Sequence, residues 1–151
     1  MSERLVAAVH SRVEVLGVAA SARALATTHG FDPKHAQELG LVIAELGMNA
    51  LLHGGGGLVQ IALSLDGWTV EAEDSGRGFS PAVLADAGRS DRLGEAGVRL
   101  PHDGFINFGS GLASVRRMST RLELSNRRSG GARAVSHRDL SPMAAHKGVT
   151  P

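Results

Sequence analysis

ELGLVIAELGMNALLHG, residues 38–54, reads as one helix that has placed a carboxylate and a carboxamide where an ordinary core helix would not. At about 3.6 residues per turn, positions four apart stack on one stripe, so Glu45, Asn49 and, drifting slightly, His53 share an edge. Leu39, Val42, Ile43, Leu46 and Ala50 form the core stripe, while Leu41, Met48 and Leu52 flank the polar edge on its other side. Glu45 and Asn49 therefore lie between two apolar faces, where a carboxylate is partly desolvated. Asn is a poor helix-interior residue because its side chain competes for backbone partners, so a mid-helix Asn one turn after such a Glu asks for a reason. Two readings stay open on this helix alone: a satisfied polar pair at the rim of a core, or a chemical site.

The surrounding chain, 151 residues in all, is long enough for one domain with a real core. Its 42% hydrophobic and 21% charged residues make an ordinary globular composition, neither disordered nor membrane-embedded. The 16 basic and 15 acidic residues nearly cancel to a formal net charge of +1, so no overall field points to direct nucleic-acid binding. The local cluster Arg116, Arg117, Arg121, Arg127 and Arg128 reads as solvated helix tails and strand ends. Without cysteine there is neither a disulfide framework nor a thiolate zinc site. No charged-then-apolar leader opens the chain and no apolar run approaches about 18 residues, so the expectation is a soluble cytoplasmic protein with no membrane span.

Taken in order, residues 4–9 read as a strand, and Ser11 with Glu14 forms a capping box before apolar positions at helical spacing, Val15, Val18, Ala22, Leu25 and Ala26. Asp32 followed by Pro33 is an N-cap with proline at the first helical position, launching the central helix. The glycines 54–57 supply a helix stop and a loose loop. Residues 58–65 and 68–72 then alternate as strands about the hairpin signal Asp66-Gly67. Beyond Asp74 the pattern dissolves into a helical turn over 81–87 and a lid over about 80–108. A helix capped by Ser110 is expected to about 119, with Leu112, Val115 and Met118 facing inward, followed by a hairpin of 121–126 and 132–137. Residues 140–151 read as a flexible tail behind a single domain, 1–139. This order predicts an α/β (α+β) two-layer sandwich, its sheet mixed but mostly antiparallel, with helices on one face.

Two glycine boxes carry further chemistry. Asp74-Ser75-Gly76-Arg77-Gly78 ends a strand, where a carboxylate is held rigidly and glycines let a ligand approach the backbone; alone it also reads as a plain turn. Gly109-Ser110-Gly111 at a helix start offers unblocked amides and the positive end of a helix dipole, suited to phosphate; alone it also reads as a glycine-rich cap. It lacks the lysine of a P-loop.

An E-x-x-x-N helix, a strand ending in D-x-G-x-G, a lid, and G-x-G-L opening a helix, in this order over residues 4–137, resemble the GHKL ATP-binding domain of gyrase, heat-shock chaperones, histidine kinases and mismatch-repair ATPases. The resemblance implies the Bergerat-type ATP-binding fold. ELGMNALLHG and the small size look like the bacterial serine/threonine protein kinases of sigma-factor partner switching, and VEAEDSGRGF and GLASVRRM look closer to the branch found in stress complexes. Carried over by position, Glu45 matches the general base, Asn49 the magnesium ligand through ATP phosphates, and Asp74 the acceptor of the adenine amino group. Gly76 and Gly78 match the turn beside the base; Gly109, Gly111 and Leu112 match the lid hinge and the helix start at the phosphates. ATP and Mg2+ are the implied cofactors, and a small anti-sigma-antagonist (STAS-domain) protein is the implied substrate. A sigma factor or a phosphatase regulator is a further partner, and a homodimer is allowed. The chain departs from the family in its long lid and in GSGLAS, which lacks the fuller glycine repeat; such a lid can bind nucleotide and transfer phosphate poorly.

His53 reads better as a helix-end residue favoured by the dipole than as a phosphate contact, and Arg77 as solvated. His10, His102 and Asp103 have no partners spaced for a metal site, and Leu41, Met48 and Leu52 read as core. Two rival functions remain: a non-catalytic, nucleotide-dependent module that sequesters a sigma factor or other regulator, and a detached histidine-kinase catalytic domain, for which no phosphoacceptor helix is visible.

Overall fold

The computed structural model describes residues 2–87 and 108–141. Most of the lid expected over 80–108, and the tail beyond 141, lie outside the described residues. The elements are β1 (Glu3–Val9), α1 (Arg12–Thr28), α2 (Pro33–Gly54), β2 (Gly57–Ser64), β3 (Gly67–Asp74), α3 (Pro81–Ala87), α4 (Phe108–Arg117), β4 (Arg121–Asn126) and β5 (Ala132–Asp139).

Local signals set most of the boundaries. Ser11 accepts the Glu14 amide at 3.2 Å while the Glu14 carboxylate takes the His10 amide at 3.0 Å, a closed capping box at the start of α1. Asp32 accepts the His35 amide at 3.0 Å ahead of Pro33, which starts α2. At the other end α2 runs on through Gly54 and stops on Gly55, whose left-handed φ of 73° only glycine adopts cheaply. β2 begins at Gly57, so the glycine run is a tight helix-to-strand corner instead of a loose loop.

The sheet order is β1-β2-β3-β5-β4 and every pairing is antiparallel, where a mixed but mostly antiparallel sheet was expected. The reason lies in the first crossover: two consecutive helices, α1 and α2, return the chain to the end of the sheet it left, so β2 runs back along β1. β5 then inserts between β3 and β4. Strand residues alternate buried and open, with Val59, Ile61, Leu63, Val70 and Ala72 turned to the helices. α2 meets them with Leu39, Val42, Ile43 and Leu46, each no more than 1% exposed. α1 packs on α2 through small residues; an added Cβ at Gly47 would come 2.9 Å from Val15, so the two helices approach closely. Near the start of α2, Glu38 pairs with Arg138 of β5 at 3.4 Å, and that guanidinium lies over the Trp68 ring, itself stacked on Phe31. The opposite face of the sheet carries the ion pair of Arg133 with Glu71 and a hydrogen bond between His137 and Glu123 at 2.6 Å.

Two further expectations change. Leu41 and Leu52 are 47% and 55% exposed rather than core, because α2 meets the sheet, α1 and α4 on its other sides; Met48 alone of that flank packs against the core. α4 starts at Phe108, which puts Ser110 inside its first turn and not at the cap.

Ile43→Ala is expected to cost about 2–5 kcal/mol, since it empties a fully enclosed site, and Asp32→Ala about 1 kcal/mol through the lost cap. Urea unfolding of both variants checks this; an Ile43→Ala loss no larger than that of Asp32→Ala would contradict the placement of α2 at the centre of the core.

Candidate functional site

The polar edge of α2 faces the first turns of α4. Gly111 sits so close that an added Cβ would stand 2.6 Å from Glu45 Oε2 and 4.0 Å from Asn49 Oδ1, so a side chain there would displace the Glu45 carboxylate. Leu112, fully buried, anchors that turn in the core and does not line the cavity. Glu45 is half-buried, and burial raises its carboxyl above the usual carboxylate range. The desolvation expected from the sequence is therefore present, although Leu41 and Leu52 are exposed. Asn49 Nδ2 is buried with no hydrogen-bond partner among the described residues. Leaving such a group unsatisfied costs about 1–3 kcal/mol, and a helix-interior carboxamide in that state points to a ligand.

One turn further along, Asn49 and His53 roof a narrow cavity together with Asp74, Gly78 and Phe79. Ala72, Ala132 and Ala134, small side chains on neighbouring strands, line it from the sheet. Asp74, only 6% exposed, ends β3; its Oδ1 accepts the amides of Gly76 at 2.9 Å and Ala132 at 3.1 Å. Both bonds use one oxygen, which leaves Oδ2 for a ligand. Gly76 packs against the His53 carbonyl and Gly54, with no space for a side chain, and Gly78 takes a φ of 81°. A wider groove at the other end of the sheet, near the Asp66-Gly67 turn, gathers none of these residues.

Glu45, Asn49 and Gly111 thus lie together at one end of the site, and Asp74, Gly76 and Gly78 at the other, with Asn49 bridging the two. Gly109 belongs to the first turn of α4, whose leading amides have no partner within the helix. His53 faces the cavity instead of serving only as a cap. Its pKa is lowered, first by burial and then by the charge of exposed Arg77, against the opposing pull of Asp74. Phe79, Asn126 and Arg127, which hold the loop after Asp74, were not signalled by the sequence: an Asn and an Arg at a strand end read as ordinary turn residues.

No group of three or more His, Cys, Asp or Glu side chains able to hold a metal occurs among the described residues. The carboxamide of Asn49 beside the Glu45 carboxylate still fits a magnesium ion bound mainly through phosphate oxygens and water, since such ions take few protein ligands and prefer oxygen. No helix among the described residues is long and apolar enough to cross a membrane.

Among solved structures, a chain from the SiaB-SiaC complex of Pseudomonas aeruginosa matches with a TM-score of 0.61 at 19% identity, over 88% of this chain and 88% of that one, a likeness of fold. No curated protein matches the sequence. The family model of the histidine kinase-like ATPase domain matches residues 9–136, from the end of β1 into β5 and through every element that builds the site. The chain belongs to the histidine kinase-like ATPase domain family.

Proposed function

We propose that the protein binds ATP with magnesium and transfers the γ-phosphate to a serine or threonine of a small anti-sigma-antagonist partner, acting as a partner-switching regulator. The observation that carries this reading is the half-buried Glu45 carboxylate set beside Asn49 against Gly111 of α4. The amides of Gly109 and Ser110, at the positive end of α4, suit phosphate oxygens. Asn49 would hold the magnesium ion, which when bound neutralises phosphate charge. Glu45 takes the proton of the partner's hydroxyl as that oxygen bonds to the γ-phosphorus; the bond from phosphorus to the bridging oxygen breaks, and ADP leaves with its electron pair. A carboxylate whose proton affinity burial has raised is the better base near neutral pH. At the far end Asp74 Oδ2 accepts from the adenine amino group. A protein substrate is supported by the setting of the similar Pseudomonas chain, which belongs to a complex of SiaB with SiaC.

Glu45→Ala is expected to lower phosphate transfer by about 10²–10⁴-fold while leaving Mg-ATP binding nearly intact, and Asp74→Asn to weaken ATP binding by about tenfold. Transfer assays with radiolabelled ATP and calorimetric titration measure both. Undiminished transfer by Glu45→Ala removes the assigned base, and the absence of both binding heat and thermal stabilisation by Mg-ATP sinks the nucleotide reading.

Stability should also report on Glu45. Its folded pKa lies above its unfolded one, so between the two the folded chain binds more protons and stability falls as pH rises; the penalty is full above the folded pKa and absent below the unfolded one. Glu45→Gln is therefore expected to melt higher than wild type at about pH 7.5 and to lose that advantage below about pH 4. An advantage independent of pH would show that the carboxylate is not desolvated in solution.

A further inference from the structure

Asp74 does not fix its own orientation. The loop behind it contains Gly76 and Gly78, the latter at a φ of 81°, and a backbone of that kind swings unless something holds it. The end of the β4–β5 hairpin does so at four points. Asn126, the last residue of β4, accepts the Phe79 amide on Oδ1 at 2.7 Å and donates Nδ2 to the Phe79 carbonyl at 3.0 Å. One carboxamide thereby replaces a strand partner for the residue that closes the loop, and it stands so near Gly78 that a Cβ there would come within 2.6 Å of Oδ1. Arg127 donates Nη1 to the Asp74 carbonyl at 2.6 Å while its Nε pairs with Glu73 at 3.2 Å. Gly131, at a φ of 101°, folds against that same carbonyl with no room for a side chain. The Ala132 amide then takes Asp74 Oδ1.

We infer that Asn126 and Arg127 are positioning residues for base selection: they clamp the 74–79 loop so that Asp74 presents Oδ2 alone to the cavity, where it accepts from an amine and repels a carbonyl. This rests on the nucleotide reading above. A carboxylate discriminates adenine, with its exocyclic amine, from guanine, with a carbonyl at that place, only if it cannot turn aside. Loosening the clamp should therefore erode selectivity for the base while leaving the contribution of the triphosphate in place.

The test uses the full chain, titrated separately with Mg-ATP and Mg-GTP by calorimetry. Wild type is expected to bind ATP at least about tenfold tighter than GTP. Asn126→Ala and Arg127→Ala are expected to bring the two affinities within about threefold of each other, through weaker ATP binding and unchanged GTP binding. Arg127→Lys, which keeps a donor for the Asp74 carbonyl, should restore most of the preference. A melting transition shows which variants are folded, and if Asn126→Ala is not, the half-exposed Arg127 series decides. A wild type that prefers ATP, with folded variants that keep the same preference, overturns the clamp and spares the nucleotide reading; a wild type that binds neither nucleotide overturns both.

Discussion

A carboxylate that is almost wholly enclosed must find hydrogen-bond donors or lose its charge, and the way Asp74 meets that demand organises the site. Its donors are two main-chain amides, one in the loop that follows it and one in β5, 58 residues downstream. To bring them within reach, β3 and β5 must pair in the observed register, Gly76 must tuck under the end of α2, and Gly131 must fold flat on the Asp74 carbonyl. The glycines around this point are thus consequences of one buried charge. Each marks a place where a main chain has been drawn in too close for a side chain.

α2 supplies the other half of the site and does so with residues next in sequence to those that hold the core together. Leu46 and Ala50 are buried against the sheet, while Glu45 and Asn49, adjacent in sequence, face α4. Any shift of the helix that improved its packing would move the carboxylate and the carboxamide as well. The two polar groups are also costly as they stand, one by desolvation and one by lacking a partner. Stability given up at a site in this manner is what a ligand recovers on binding.

Much of this was legible in the sequence where the signal was local. The capping box at Ser11, the Asp32-Pro33 start, the Asp66-Gly67 hairpin and the periodicity of α2 all depend on residues a few positions apart, and they appear where expected. The polar edge of α2 was also legible, because Glu45 and Asn49 violate helix preference together. What was not legible is set by elements far apart in the chain. The exposure of Leu41 and Leu52 follows from where α4 docks, and the tightness of the 54–57 corner from the nearness of β3. The grip of Asn126 on Phe79 spans 47 residues, and nothing near Asn126 announces it. The start of α4 at Phe108 shows the same limit, since a serine between two glycines looks like a cap whether or not it is one.

The position of β5 has a consequence for how the protein comes into being. It is the final strand among the described residues, yet it lies between β3 and β4, and it carries the amide that latches Asp74. A chain emerging during synthesis completes α2, with Glu45 and Asn49 in place, long before it can close the far end of the cavity. The Asp74 end of the cavity is closed only when β5 has taken its place between β3 and β4. Formation of the cavity and completion of the sheet are thus one event, since a chain without β5 lacks both the Ala132 and Ala134 wall and the amide that holds Asp74.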